Sequence, residues 1–162
     1  MKNLIYDQFQ KNIAAFARNK GLPLRIMFEL TYQCNFKCKH CYIPPSYKKR
    51  YKKKELSTKQ VFSILEQLKE LGCFYLGFTG GEPFMRNDII PILTYAKKCG
   101  FEVIIHTNAS LIRAQDALRL AALNLNKVDI TIPAISKKVF RHITGCDARD
   151  KVFATVKLLH EN

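Results

Sequence analysis

The fold is decided by residues 74–107, which read FYLGFTGGEPFMRNDIIPILTYAKKCGFEVIIHT. This segment begins and ends with short apolar runs, at residues 74–79 and 101–107, that are rich in Phe, Ile and Val. Residues of these types favour β-strands, and the runs are too short to be helices. Both ends of the segment are therefore predicted to be strands.

A helix is predicted between these two strands. It begins at Asn87 or Asp88, carries Pro91 in its first turn, where a missing N–H does no harm, and ends at Gly100. A strand, a helix and a second strand in this order indicate a βαβ unit with parallel strands.

The same unit recurs on both sides of this segment. Apolar runs at residues 24–30 and 128–132 predict two more strands. Ser57 and Gln60 form a capping-box pattern at the start of one further helix. This helix is predicted over residues 57–71, and three more are predicted at residues 1–19, 114–125 and 148–160. The fold class is thus α/β, a partial (β/α) barrel of parallel strands with about four βα units and a leading N-terminal helix.

Two regions are predicted along the chain. Residues 1–23 form the leading helix and its lead-in, and residues 24–162 form the core. Four units do not close a barrel, whose complete form has eight. The fourth strand would be left as an uncovered parallel edge. We therefore expect the core to be incomplete at its C-terminus, with another segment or another chain completing the sheet.

Composition narrows the class of protein. The chain has 162 residues, 27 Lys and Arg against 13 Asp and Glu, a formal net charge of +14 and 48% hydrophobic residues, which excludes disordered and collagen-like chains. No run approaches the roughly 18 apolar residues that cross a bilayer, and the N-terminus lacks the apolar centre of a signal peptide. The sequence predicts a cytoplasmic protein without membrane association.

Three of the six cysteines lie close together after the first predicted strand. Cys34, Cys38 and Cys41 form a C-x3-C-x2-C array within TYQCNFKCKHCY. Thiolates this close repel one another unless a soft metal or a cluster neutralises them. A structural zinc ion takes four protein ligands, whereas a four-iron cluster held by three cysteines leaves one iron open for a substrate. Zinc with His40 or Cys73 as fourth ligand is the alternative.

The other strands are also followed by residues suited to ligand binding. Gly80, Gly81 and Glu82 follow the second strand, where glycines permit close backbone approach and a carboxylate can bind an ammonium group. Asn108 follows the third strand, and Thr131 lies in the fourth. Each is more often a turn or cap residue when taken alone. The carboxyl ends of parallel strands gather at one edge, so these residues are predicted to share a site.

With these motifs in place, the chain resembles the radical S-adenosylmethionine (radical SAM) enzymes from about Leu24 to the C-terminus. The resemblance rests on CNFKCKHC, FTGGEP, HTNAS and VDITIPAISKKVFRHITG, each after its own strand and in this order. It implies that Cys34, Cys38 and Cys41 bind a [4Fe-4S] cluster, whose open iron chelates S-adenosylmethionine (AdoMet). The implied reaction is reductive cleavage of AdoMet to a 5′-deoxyadenosyl radical that abstracts hydrogen from a peptide, cofactor or other small-molecule substrate.

The resemblance also implies roles for individual residues. His40 matches an adenine contact, and Gly80, Gly81 and Glu82 match the motif that receives the methionine amino group of AdoMet. Asn108 and Thr131 match polar positions near the ribose and the carboxylate. The chain departs from the family pattern in two respects: the last two of six usual units are not present, and the fourth strand reads Thr-Ile-Pro-Ala where Ser-Leu-Asp-Gly or Ser-Leu-Tyr-Gly is usual.

A basic run follows the cysteine array, with Lys and Arg at positions 48, 49, 50, 52, 53 and 54 and tyrosines at 47 and 51. It is interpreted as a solvated surface loop, or as a surface for an acidic electron donor such as flavodoxin or ferredoxin. Two alternatives to the enzyme remain open: a basic zinc-binding nucleic-acid module, which the other motifs disfavour, and an incomplete, inactive domain. The sequence does not name the substrate, the reductant or the oligomeric state.

Overall fold

A computed structural model describes residues 2–51 and 54–161 of the chain. Within these residues, four strands form one parallel sheet in the order β1-β2-β3-β4, flanked by seven α-helices. The strands are β1 Arg25–Thr31, β2 Tyr75–Gly80, β3 Glu102–Thr107 and β4 Lys127–Ile130. The helices are α1 Lys2–Lys20, α2 Pro45–Tyr51, α3 Thr58–Glu70, α4 Ile89–Lys98, α5 Ala114–Ala122, α6 Lys137–Thr144 and α7 Arg149–His160. The predicted α/β class and partial barrel are confirmed.

The core lies between one face of the sheet and the helices. Alternate residues of the two central strands, such as Phe78 of β2 and Ile105 of β3, are completely buried. They meet Val61 and Leu65 of α3 and Leu93 of α4 on the covering helices. The period-two pattern of the strands and the helical stripes thus bury a common apolar layer.

Helix boundaries follow the local signals in the sequence. Ser57 and Gln60 form the predicted capping box, in which the Gln60 N–H donates to Ser57 Oγ and the Ser57 N–H donates to Gln60 Oε1. The helix predicted over residues 114–125 is shorter than expected. Its capping residue is Leu123, and Asn124 turns the chain out of the helix with a φ of 47°.

The leading helix α1 exists, but the part of its predicted apolar stripe that the structure describes is exposed. Ile13 and Phe16 are exposed, whereas Ala17 is buried. The side chains of Ile5 and Phe9, the other members of the predicted stripe, lie outside the described residues. The division of the chain at residues 23 and 24 stays a prediction.

The first part of the basic run lies in a helix rather than in the expected loop. Helix α2 begins at Pro45, a residue suited to a first helical turn, and contains Lys48, Lys49 and Arg50. The Tyr47 and Tyr51 rings lie 5.4 Å apart. Lys and Arg are good helix formers, so the charge run itself favours this short helix. Lys52 and Lys53, also part of the run, lie outside the described residues.

The sheet brings four loops to one edge, because all its strands are parallel. The pairing of β1 with β2 contains an irregularity between Glu29 and Thr31, after which Thr31 lies opposite Gly80. In the described part of the chain, β4 pairs with β3 alone and is one edge of the sheet. No helix among the described residues is long and apolar enough to span a membrane.

Candidate functional site

A cavity of about 270 Å³ lies at the carboxyl ends of the strands. The structure brings eight of the nine predicted site residues to its lining, which includes Cys34, Cys38, His40, Cys41, Gly80, Gly81, Asn108 and Thr131. Glu82, the ninth, lies behind the lining and is fully buried. Four loops that are distant in sequence therefore meet at one place, as the parallel arrangement predicts.

The cysteine loop is anchored by two apolar side chains. Phe36, between Cys34 and Cys38, is buried against Phe140 of α6, with the ring centroids 6.0 Å apart. Ile43, just after the array, is also buried. Cys34 and Cys38 are half-buried, and Cys41 is exposed. The anchors fix the backbone of the loop while the sulfurs stay at the rim of the cavity.

The last turn of α6 also holds this loop. The backbone N–H of Lys37 donates to Thr144 O at 2.8 Å, and that of Lys39 donates to Ile143 O at 2.9 Å. Carbonyls in the last turn of a helix lack partners within the helix, so the loop supplies donors that the helix end needs. Gly145, with a φ of 67°, ends the helix and lies against Lys37.

The electrostatics around the sulfurs match their expected mutual repulsion. Burial raises the pKa of the Cys34 thiol, and the nearby charge of Lys48 partly opposes this effect. Burial also raises the pKa of Cys38, and the negative charges of Cys34 and Cys41 add to the increase. A positive metal centre would relieve both the desolvation and the repulsion of the thiolates.

The three sulfurs are not arranged around a single ion. No group of three or more Cys, His, Asp or Glu side chains in residues 2–51 and 54–161 converges closely enough to hold one metal ion. Zinc would need four ligands, with sulfurs about 2.3 Å from the metal. The described residues therefore contain no preformed site for the zinc ion of the alternative interpretation.

The diglycine turn lies against the backbone at the end of β1 and the two residues that follow it, which leaves no room for a side chain at either glycine. A Cβ on Gly80 would lie 2.2 Å from Thr31 O, and a Cβ on Gly81 would lie 2.2 Å from Gln33 O. The same approach is held by the Gly81 N–H donating to Thr31 O at 2.7 Å and the Glu82 N–H donating to Gln33 O at 2.8 Å. The turn therefore fastens the end of β2 to the start of the cysteine loop.

The Glu82 carboxylate joins the ends of β2 and β3. Its Oε1 accepts from the Phe84 N–H at 3.1 Å and from Thr107 Oγ1 at 2.6 Å, while its Oε2 accepts from the Asn108 N–H at 2.7 Å. Burial raises its pKa, and these hydrogen bonds partly oppose the increase. The contact of Glu82 with a methionine amino group stays a prediction. In the structure, Glu82 links the loop after β2 to the end of β3.

Sequence reasoning missed several residues of the cavity. Tyr42, directly after the last cysteine, donates its hydroxyl to Gly80 O at 3.4 Å, and its pKa is raised to about 12, first by partial burial of the hydroxyl and then by the nearby Glu29 carboxylate. Thr144 lines the cavity from the end of α6. His106, which the sequence offers either as a ligand-lining residue or merely as a strand end, also lines the cavity and lies 3.4 Å from Asp129. Tyr42 could have been found from the sequence, because it directly follows the last cysteine of the array.

A family model described as the Radical SAM superfamily matches residues 28–162. The chain belongs to the radical SAM superfamily. The matched span contains all four strand-end motifs, and the predicted family membership is confirmed.

Radical SAM relatives include probable GTP 3′,8-cyclases from three strains of Saccharolobus islandicus. Each is 30% identical to the chain over 138 residues, which cover 85% of this chain and 44% of the relative. The chain thus spans less than half the length of these curated relatives.

Solved structures show the same fold. Streptococcus suis SuiB bound to its precursor peptide SuiA has a TM-score of 0.72 at 21% identity, covering 95% of this chain and 35% of SuiB. The anSMEcpe structure with bound AdoMet has a TM-score of 0.67 at 17% identity, covering 85% of this chain and 40% of that protein. At these identities, the similarity shows the fold.

The residues present fit the cofactors that radical SAM enzymes use, a [4Fe-4S] cluster and AdoMet. Three soft thiol donors lie on one rim of the cavity. Thiolates are the ligands that iron–sulfur clusters take. Backbone and polar side chains of the other three loops face the same space.

Proposed function

We propose that this chain is the cofactor-binding core of a radical SAM enzyme, with Cys34, Cys38 and Cys41 as ligands of a [4Fe-4S] cluster and AdoMet in the adjoining cavity. The observation that carries the proposal is the meeting of these three cysteines with the diglycine turn around one cavity. When bound, the cluster and AdoMet supply one-electron reductive cleavage and a 5′-deoxyadenosyl radical for hydrogen abstraction.

The protein's own contribution is to hold and enclose the cofactors. Phe36 and the end of α6 fix the cysteine loop, and the turn at Gly80 and Gly81 sets the opposite wall of the cavity. We assign His40 to an adenine contact and Thr131 to a ribose or carboxylate contact, because both line the cavity. Glu82 is assigned to the methionine amino group and, through its hydrogen bonds, to bracing the Thr107 side chain and the Asn108 backbone.

We propose a peptide as the substrate, with a guanine nucleotide as the second candidate. SuiB, which shares the fold over 95% of this chain, has been solved with its precursor peptide. The Saccharolobus relatives are named as probable GTP 3′,8-cyclases. Formation of 5′-deoxyadenosine by the reconstituted protein, measured with added peptide and with added GTP, separates the two candidates.

We further propose that an acidic flavodoxin or ferredoxin delivers the electron at the surface of α2. Lys48, Lys49 and Arg50 lie on this helix, and Gln33, next to the cysteine array, donates its Nε2 to Lys48 O at 2.7 Å. A positive surface beside the cluster site would attract an acidic partner. The six cysteines, free in the structure, support a reducing, cytoplasmic compartment.

The ligand assignment is tested by anaerobic reconstitution with iron and sulfide. Cys38→Ala is expected to abolish retention of the cluster and cleavage of AdoMet, because one of three ligands is lost. Cys99→Ala is the matched control: Cys99 is also half-buried, but it lies at the end of α4 and contacts Glu66. Iron and sulfide content and visible absorption are the measurements. A full cluster in both variants would show that the ligands are assigned wrongly.

A further inference from the structure

The Asn108 side chain links the end of β3 to the cysteine loop. Its Oδ1 accepts from the Ser110 N–H at 2.9 Å and from Ser110 Oγ at 2.6 Å. Its Nδ2 donates to Asn35 Oδ1 at 3.0 Å and lies 3.9 Å from Cys34 Sγ, within the range of a hydrogen bond to sulfur. One carboxamide therefore contacts a predicted cluster ligand and the residue that follows it.

The hydrogen-bond network fixes the orientation of this carboxamide. The backbone N–H of Ser110 can only donate, so the group that faces it must be the Asn108 oxygen. The NH2 group then faces Asn35 and Cys34. Asn35 Nδ2 in turn donates to Ser110 Oγ at 2.8 Å, which leaves the Ser110 hydroxyl proton for Asn108 Oδ1. All three side chains have one consistent set of donors and acceptors.

In this arrangement Asn108 has no hydrogen-bonding capacity left for a ligand. A primary carboxamide offers two donors and about two acceptor lone pairs. Protein groups take both donors, through Asn35 and Cys34, and both lone pairs, through Ser110. Asn108 is also only 9% exposed, although it lines the cavity. The structure thus favours a role through Cys34 over the ribose contact that the family resemblance implies.

Cys34 also receives a second donor, the backbone N–H of Phe36, at 3.3 Å from its sulfur. An N–H aimed at a thiolate stabilises negative charge there. Reduction makes an iron–sulfur cluster and its ligands more negative, so such donors favour the reduced state and raise the reduction potential.

We propose that Asn108 is a positioning residue that raises the reduction potential of the cluster by donating a hydrogen bond to Cys34. This inference rests on the proposed function, since it requires a cluster bound through Cys34. It assigns the carboxamide to the electron-accepting step and leaves AdoMet recognition to the other lining residues.

The test is a redox titration of the reconstituted chain without AdoMet, followed by electron paramagnetic resonance of the reduced cluster. Asn108→Leu removes the donor at similar volume, and we expect its reduction equilibrium to shift about tenfold toward the oxidised cluster, which is about 59 mV for one electron. Asn108→Asp keeps the oxygen that accepts from Ser110 and replaces the donor with a carboxylate oxygen, so its shift is expected in the same direction and larger. Asn35→Ala is the control. It removes the side chain that links Asn108 to Ser110 but keeps the Asn108 donor, so its reduction potential is expected to shift less.

Iron content and AdoMet affinity are measured on the same samples. Unchanged or higher reduction potentials in cluster-loaded Asn108→Leu and Asn108→Asp overturn the inference. Reduced AdoMet affinity with an unchanged potential also overturns it, and would favour the ribose contact that the family resemblance implies for Asn108. Loss of the cluster from both variants, with retention in Asn35→Ala, makes Asn108 a residue for cluster retention and also overturns it. A wild-type chain that binds no cluster refutes the proposed function itself.

Discussion

At the scale of single residues, Glu82 is a buried carboxylate whose energetics depend on pH. Its three donors hold it in place, yet burial raises its pKa above the ordinary value. A raised folded-state pKa means that the stabilising contribution of the group is complete below its unfolded pKa of about 4.3 and is lost as the pH rises through the higher folded-state value.

We expect Glu82→Gln to destabilise the chain by about 1–3 kcal/mol at pH 4, because the amide NH2 would face a buried N–H and leave it unsatisfied. The difference from the wild type should narrow as the pH rises toward 7, since only the wild type bears the cost of burying a carboxylate charge. Urea unfolding of cluster-free protein at several pH values measures both effects. Glu70→Gln, at an exposed position in the last turn of α3, is the control. A pH-independent difference would contradict the raised pKa.

At the scale of elements, the end of α6 is coupled to the cysteine loop. Gly145→Ala places a Cβ 3.2 Å from the Lys37 Cβ, in addition to the strain of a φ of 67°. Gly72→Ala creates similar strain, at a φ of 79°, but its Cβ would meet nothing within 4 Å. Both variants are expected to lose about 1–2 kcal/mol of stability. Only Gly145→Ala should release iron faster to a chelator, because it also displaces the loop. Equal iron release from both variants would show that α6 does not hold the loop.

At the scale of the whole molecule, the distribution of the +14 net charge is predicted to govern electron delivery. Neutralising Lys49 and Arg50 on α2 with glutamine should slow cluster reduction by an acidic flavodoxin several-fold at low salt, and the difference should disappear at high salt. Lys151 and Lys157 on α7 form the matched control, since their replacement removes the same charge from exposed positions. Stopped-flow absorbance measures the rate. Equal slowing in both double variants would indicate net charge rather than a docking surface.

Particular elements show how far the sequence could predict this molecule. The strands, the capping box of α3 and the sharing of one edge by the motifs were predictable, because strand periodicity, capping and parallel topology are local or general rules. Helix α2 was not predicted, since it has no apolar stripe and its tyrosine contacts form only after folding. The burial of Glu82 was equally hidden, because its partners Thr107 and Asn108 lie 25 and 26 residues away in sequence.

The amino-acid sequence by itself determined the order of the four strands and of five helices, the radical SAM membership and eight of the residues that meet at the cavity, because each depends on spacing and residue type. Helices α2 and α6 were not among its predictions. Only the tertiary structure decided what those residues do to one another. It placed β1 against the diglycine turn, buried Glu82 behind the cavity lining and brought the Asn108 amide to Cys34. These relations depend on the packing of loops from different strands, whose relative positions are fixed only when the sheet and its helices bury a common core.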